Sequence, residues 1–236
     1  MKKCIGEGRI STVDDISKLP PKKKRGGASS QSNLHPHMQA RAVAFQETLK
    51  HLAVGHNDGT VSIRLVDNID SADDTEMLDL NNIIQKMTHP KEWIEIMRYS
   101  PSGEKLAVGS HDNFIYLYNA SNYKPYGKLR GHSSFITGLD WSLDGSMIRS
   151  CCGAYELLFF NVDSKKQDPS GASNTTSTTW MNHTVKFGWF VEGIFPPGTD
   201  GSHINIVDMS KDQTILATGD DYGLVNVYRS PCKEEH

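Results

Sequence analysis

The chain has 236 residues, 37% of them hydrophobic and 22% charged, with 20 Gly, 10 Pro and four Cys, a profile of one or two globular domains with room for a substantial core. No stretch reaches the ~18 consecutive apolar residues of a membrane-spanning helix, and Met1-Lys2-Lys3-Cys4 opens no apolar run like that of a secretory signal, so an intracellular protein is expected. The net charge of −3 divides unevenly: residues 1–41 carry nine Lys/Arg against three Asp/Glu, and residues 42–236 carry 16 against 25, an acidic body that argues against nucleic-acid binding.

The first segment, 1–41, reads as a basic arm. Residues 18–33 are rich in Pro, Gly and Ser and lack any hydrophobic period, the composition of a linker or a disordered tract. Its run Lys22, Lys23, Lys24, Arg25 is read three ways: a solvated linker, an import signal, or a contact for an acidic partner.

From residue 42 onward one pattern recurs four times without internal gaps, at 43–64, 97–118, 139–160 and 207–228. Each copy reads as an alternating apolar strand, a tight turn such as Ser100-Pro101-Ser102-Gly103, a small-residue strand such as Leu106-Ala107-Val108-Gly109, a polar turn, and a β-rich strand. This predicts an antiparallel meander. Ala53, Ala107 and Ala217 in the middle strands leave room for neighbouring sheets to approach, and such a unit buries both faces only by stacking on its neighbours. The residue before the first turn falls at Phe45, Tyr99, Trp141 and Met209, giving separations of 54, 42 and 68. The middle value is that of a WD40 blade of ~40–45 residues; the excess in the others falls in the polar stretches 67–79 and 163–179, placed on outer or face loops.

A fourth blade strand is visible once, in Tyr126 to Arg130, followed by the Gly131-His132 turn and the next first strand, which ends at Trp141. This order resembles WD40 repeats, in which the His joins a buried network with a Ser or Thr, a turn Asp and a Trp. Ser150 is available here, but Ala154 and Phe160 occupy the Asp and Trp positions, so the full network is not expected in this blade. Asp58 and Asp112 keep the turn Asp, while Tyr222 replaces it in the fourth copy beside the pair Asp220-Asp221, which in a tight turn caps backbone N–H groups. The expected fold is therefore all-β: a WD40-type propeller of about four recognisable blades, incomplete or open. At about 42 residues per blade the chain is short of the seven blades common in such rings, and open strand edges are expected at Val43 and Tyr228.

No chemistry-bearing pattern is found. Gly6-Glu-Gly8 lacks a third glycine, and P-loop, His-Glu-x-x-His and Gly-x-Ser-x-Gly motifs are missing. Cys4, Cys151, Cys152 and Cys232 do not form Cys-x-x-Cys pairs, and the ten His are scattered, so no metal, cofactor, small-molecule substrate or enzymatic activity is expected. Trp180, Trp189 and Phe190 are read either as packing in the outer strand of the third blade and its crossing to the fourth, or as an exposed partner anchor.

Several phrases are more specific than a WD40 signature: Tyr99 to Tyr118, Gly131 to Ser142, Gly219-Asp-Asp-Tyr-Gly-Leu-Val225 with Ser230-Pro-Cys232, and the link Phe187-Gly-Trp-Phe-Val-Glu-Gly-Ile-Phe-Pro-Pro-Gly-Thr-Asp-Gly-Ser-His-Ile-Asn-Ile-Val207. These resemble the second propeller of the echinoderm microtubule-associated protein-like (EMAP-like) family over about residues 42–232. The resemblance implies a non-catalytic scaffold of the cytoplasmic microtubule cytoskeleton that contacts tubulin. The alternative is a general WD40 adaptor holding proteins of a non-cytoskeletal complex on its faces.

Overall fold

A computed structural model describes residues 39–66, 82–195 and 204–233. Within these, fifteen strands form four antiparallel sheets, each taking its strands in sequence order. Sheet 1 comprises β1 (Ala40–Gln46), β2 (His51–His56), β3 (Val61–Leu65) and β4 (Ile83–Met87). Sheet 2 comprises β5 (Ile94–Tyr99), β6 (Lys105–Ser110), β7 (Ile115–Asn119) and β8 (Pro125–Leu129). Sheet 3 comprises β9 (Ile136–Trp141), β10 (Met147–Cys152), β11 (Leu157–Asn161) and the two-residue β12 (Lys166–Gln167). Sheet 4 has three strands, β13 (Ile204–Met209), β14 (Ile215–Asp220) and β15 (Val225–Arg229). The fourth strand, legible once in the sequence, is thus present in three sheets.

The turns follow from local chemistry. Gly103 N donates to Ser100 O at 2.8 Å and Gly145 N to Ser142 O at 2.9 Å, with φ of 72° and 73° at the two glycines. In the fourth copy Gln213 occupies the same place at φ 58°, a conformation that costs a side-chain-bearing residue what it does not cost glycine.

Side chains two apart share a face, and sheet 2 uses both. Met97, Tyr99, Leu106, Val108 and Tyr118 join Ala53, Val61, Ile63 and Met87 in one buried layer, while Ile96, Ala107, Ile115 and Leu117 join Ile136, Leu139, Trp141, Ile148 and Phe160 in the next. Sheets 1, 2 and 3 therefore stack through two apolar layers. Close approach is set by missing side chains: a Cβ on Gly55 would lie 2.5 Å from Ile94 Cγ2, and one on Gly109 2.8 Å from Ile136 Cγ2.

Sheet 4 is packed differently. Ile204, Val207 and Leu216 form a third cluster with Val191, Ile194 and Cys232, so its inner face rests on the connecting segment and not on sheet 3. Its other face leaves Ile206, Ile215, Val225 and Val227 exposed. The strands of Val43 and Tyr228, β1 and β15, are each an edge strand paired on one side only among the described residues, as expected. Val43 is 59% exposed although β1 is paired along its length with β2, and Tyr228 is half-buried, its hydroxyl 3.5 Å from Ile194 O. Blades join through faces, so the uncovered apolar surface at each end is a sheet face as well as a strand edge.

Candidate functional site

The third sheet breaks the repeat at one position. Where sheets 1 and 2 place the buried Ala53 and Ala107 and sheet 4 has Ala217, sheet 3 has Arg149. A buried guanidinium needs counter-charge and acceptors. Asp140, fully buried on β9, accepts from Arg149 Nε at 2.9 Å, His183 Nδ1 lies 2.8 Å from Arg149 Nη2, and the Trp180 ring centroid is 4.5 Å from the guanidinium carbon. Because Arg149 only donates, His183 Nδ1 is the acceptor and its proton sits on Nε2. Burial and the Arg149 charge pull the His183 pKa down to about 3. Burial also lowers that of Arg149, against the raising effect of Asp140.

These contacts pin a crossing segment along β9. Asp140 Oδ1 accepts from Thr184 N at 2.6 Å and from its hydroxyl at 2.9 Å; Met181 N donates to Trp141 O at 2.8 Å, and Leu139 N to Thr184 Oγ1 at 2.9 Å. Gly138 makes the approach possible, since a Cβ there would lie 2.7 Å from Thr184 O. The segment thus covers the face and free edge of sheet 3 on which another blade would stack. Gln213 Nε2 donates to Trp180 O at 3.0 Å, linking sheet 4 to it. A cavity of about 410 Å³ between them is lined by Met181, Trp189, Phe190, Met209, Gln213 and Pro231 among others.

A second polar cluster sits at the start of sheet 3. Gly131, at φ 148°, turns the chain so that His132 lies buried with Nε2 2.7 Å from Ser150 Oγ. Phe160 occupies the Trp position, its ring centroid 6.0 Å from that of His132. Ala154 supplies no carboxylate, but Glu156, two residues on, does: its Oε2 is 3.4 Å from His132 Nδ1. The full network is not formed, as Ala154 and Phe160 lead one to expect: Glu156 brings a carboxylate near, but His132 Nδ1 has no hydrogen-bond partner. Glu156 also accepts from Ser133 N at 2.9 Å, Ser133 Oγ at 2.8 Å and the Cys152 thiol at 3.2 Å. The Ser133 and Cys152 donors hold its pKa down to about 2, while burial lowers that of His132 against the pull of Glu156.

The turn acids lie in three of the four sheets. Asp58 accepts from Thr60 N at 2.9 Å, and Asp112 from Lys91 N at 2.9 Å and the Tyr116 hydroxyl at 2.7 Å. In the fourth copy Asp220 accepts from Tyr222 N at 3.0 Å and Leu224 N at 2.8 Å; Asp221 instead accepts from Asn205 Nδ2 at 2.6 Å. Trp141 is fully buried and donates Nε1–H to Arg98 O at 3.1 Å, tying sheet 3 to sheet 2.

The same end of the sheets carries an exposed aromatic ridge. Residues just before β5 and β9 and in the β6–β7 turn meet there because antiparallel neighbours bring the start of one strand beside the end of the next. The Arg41 guanidinium lies 4.6 Å from the Trp93 ring centroid, Trp93 lies 5.2 Å from His111, and His111 stacks on Phe135 at 4.6 Å. Glu95 holds His111 at 2.9 Å. Trp93 and Phe135 are 42% and 40% exposed, and Tyr155, also exposed, meets Phe187 edge-on at 5.7 Å.

Of the residues singled out in the sequence, Lys22, Lys23, Lys24 and Arg25 lie outside the described residues. Trp180 is buried, and it bridges to Ser142 beside β9 and not in the outer strand, the opposite edge of the sheet from the expected one. Phe190 is half-buried against His183; Trp189 is exposed, 3.6 Å from Phe190 between ring centroids, with Lys233 Nζ 4.5 Å from its own. Arg149, His183, Glu156, Trp93 and Phe135 were not singled out. Arg149 was detectable as the one large residue in the aligned Ala positions.

Antiparallel meanders joined in sequence and stacked face to face define a WD40-type β-propeller segment. Residues 26–236 match the family described as the echinoderm microtubule-associated protein second beta-propeller, and the chain belongs to it. It is 52% identical over 226 residues to the ciliary WD repeat-containing protein ctxp80 of Euplotoides octocarinatus, covering 95% of this chain and 30% of that protein. It is 44% identical over 148 residues to the 77 kDa echinoderm microtubule-associated protein of Lytechinus variegatus, covering 61% of this chain and 22% of the relative. To echinoderm microtubule-associated protein-like 1 of Homo sapiens it is 41% identical over 165 residues, covering 68% and 20%. The chain spans less than a third of each of these relatives.

Proposed function

We propose that the chain is a non-catalytic scaffold of cytoplasmic microtubules, ciliary ones included, that docks on tubulin through the aromatic ridge. The single observation that carries this reading is the unbroken run of Arg41, Trp93, His111 and Phe135 across three sheets, exposed at every member but the half-buried His111. Arg and Trp are enriched in protein-binding hot spots, Trp for its large rigid area and Arg for its planar, multiply donating guanidinium. The microtubule assignment is supported by the names of the relatives, two of which are microtubule-associated proteins and one a ciliary protein.

Microtubule surfaces are acidic, and residues 42–236 carry 16 Lys/Arg against 25 Asp/Glu. Long-range attraction then falls to the basic run Lys22 to Arg25, with the ridge supplying short-range contact. Co-sedimentation with taxane-stabilised microtubules tests both parts. Trp93→Ala with Phe135→Ala is expected to weaken pelleting about tenfold or more at constant salt, and removal of residues 1–34 to weaken it and flatten its salt dependence. Pelleting unchanged by the ridge substitutions would refute docking there; an absence of pelleting by the intact chain, with another stable partner recovered, would favour the adaptor reading.

A further inference from the structure

We propose that His132, Cys152 and Glu156 form a binding site for a single zinc ion, independent of the docking reading above. The three come from the turn before β9, the end of β10 and the turn before β11, and each offers one ligand atom within 4.8 Å of the other two. Imidazole nitrogen, thiolate sulfur and carboxylate oxygen are the donor types zinc prefers. Two of the three separations are close to those of a coordination polyhedron. With bonds of about 2.0–2.3 Å, two ligands of a tetrahedral zinc stand about 3.3–3.6 Å apart; His132 Nδ1 is 3.4 Å and Cys152 Sγ 3.2 Å from Glu156 Oε2.

The hydrogen bonding leaves this place unsatisfied. The His132 side chain is 2% exposed, yet its Nδ1 has no hydrogen-bond partner: Glu156 Oε2 stands at 3.4 Å without the geometry of a bond. If Nε2 carries the proton and donates to Ser150 Oγ at 2.7 Å, Nδ1 presents a bare lone pair toward a carboxylate, two acceptors facing each other in a buried place. A cation between them removes that conflict.

The outer contacts suit a metal site. Ligating histidines commonly give their second N–H to an oxygen that fixes the ring, and Ser150 is placed to accept it. Ser133 anchors Glu156 at both oxygens, its hydroxyl on Oε1 at 2.8 Å and its N–H on Oε2 at 2.9 Å, so the ion would take the second lone pair of Oε2 in place of the Cys152 S–H. Glu156 is only partly buried, so a water completes four-coordination from the solvent side. Binding replaces the Cys152 S–H bond by a Zn–S bond and releases one proton to solvent. Thiolate and carboxylate then neutralise the dication, so the buried site carries no net charge.

Cobalt(II) reports on such a site because a thiolate ligand gives a charge-transfer band in the near ultraviolet and a tetrahedral field strengthens the visible bands. Titration of the intact, reduced chain with cobalt, followed by zinc displacement, is expected to reach one equivalent with both signatures and to raise the midpoint of thermal unfolding. Cys152→Ser should abolish the charge-transfer band, and Ser150→Ala should weaken affinity about tenfold while leaving the band in place. Cys151→Ser should leave band and affinity unchanged, and an unaltered metal-free unfolding midpoint would show that each variant is folded. No saturable band, or a band that survives Cys152→Ser and so belongs to Cys4, Cys151 or Cys232, overturns the proposal.

Discussion

Arg149 Nε donates to Asp140 Oδ2 at 2.9 Å, with Arg149 only 5% exposed and Asp140 fully buried. This pair changes what sheet 3 does with its outer face. An alanine there would accept a fourth sheet directly; the ion pair instead holds residues 180–185 against β9 through Asp140 and His183. Removing one partner leaves an uncompensated buried charge, so Asp140→Ala is expected to destabilise the chain by about 3–5 kcal/mol in urea unfolding. The double variant Asp140→Leu/Arg149→Met should lose less than Asp140→Ala. Equal or greater loss would mean that the pair is not the element that matters.

His183 links this anchor to pH. Its pKa in the folded chain lies near 3, below the ordinary 6.5, so below pH 6.5 the unfolded chain binds a proton that the folded chain refuses. Stability from this residue is complete above pH 6.5 and declines as pH falls toward about 3, at up to about 1.4 kcal/mol per unit. His56 and His132, also lowered by burial, act in the same direction. The measurable quantity is therefore the difference between the parent and His183→Gln, whose stability should fall less steeply between pH 6.5 and pH 5. Parallel curves would contradict the assignment.

Gly138 is the point of closest passage between β9 and the crossing segment. In Gly138→Ala the new methyl meets the carbonyl oxygen of Thr184 at 2.7 Å and Cys151 Sγ at 2.8 Å, one of them backbone that cannot rotate away. A loss of about 1–3 kcal/mol is expected, with amide exchange quickened at Thr184 and Val185, whose N–H groups bond to Asp140. Unchanged exchange there would show that the segment has slack.

Trp141 is the seam between sheets 2 and 3. Trp141→Phe deletes the donor that serves Arg98 O and leaves a void in the second apolar layer. A cost of about 1–3 kcal/mol is expected, combining a lost hydrogen bond with lost packing. Thermal unfolding of the single variant reads it directly.

Much of this architecture was legible in the sequence because the repeat is written in residues that act locally. Gly103 and Gly145 fix turns, and Ala53 and Ala107 set sheet spacing, so the aligned copies led to strands β1–β3, β5–β7, β9–β11 and β13–β15. Less legible was whatever depends on partners far along the chain. Trp180 directly follows the polar insertion 163–179, with no period to place it, and its position beside Ser142 follows from Arg149 and Asp140, 31 and 40 residues earlier. Glu156 is not legible as a neighbour of His132 because the turn-acid position of the repeat falls on Ala154. Trp93 and Phe135 lie just outside the aligned copies, where only the three-dimensional adjacency of the turns makes them a ridge.

The two shared apolar layers also determine how the molecule comes apart. Sheets 1, 2 and 3 bury one another's faces and must open together, whereas sheet 4 buries its inner face on residues 190–195 and Cys232. This separate apolar cluster predicts that sheet 4 opens apart from the other three, tethered through Gln213 to the carbonyl of Trp180. Amides of β13–β15 should then exchange through a partial opening of lower free energy than the one that exposes β5–β7. Strain applied at the C-terminal side of the chain would be released by shedding this sheet before it reaches the ridge.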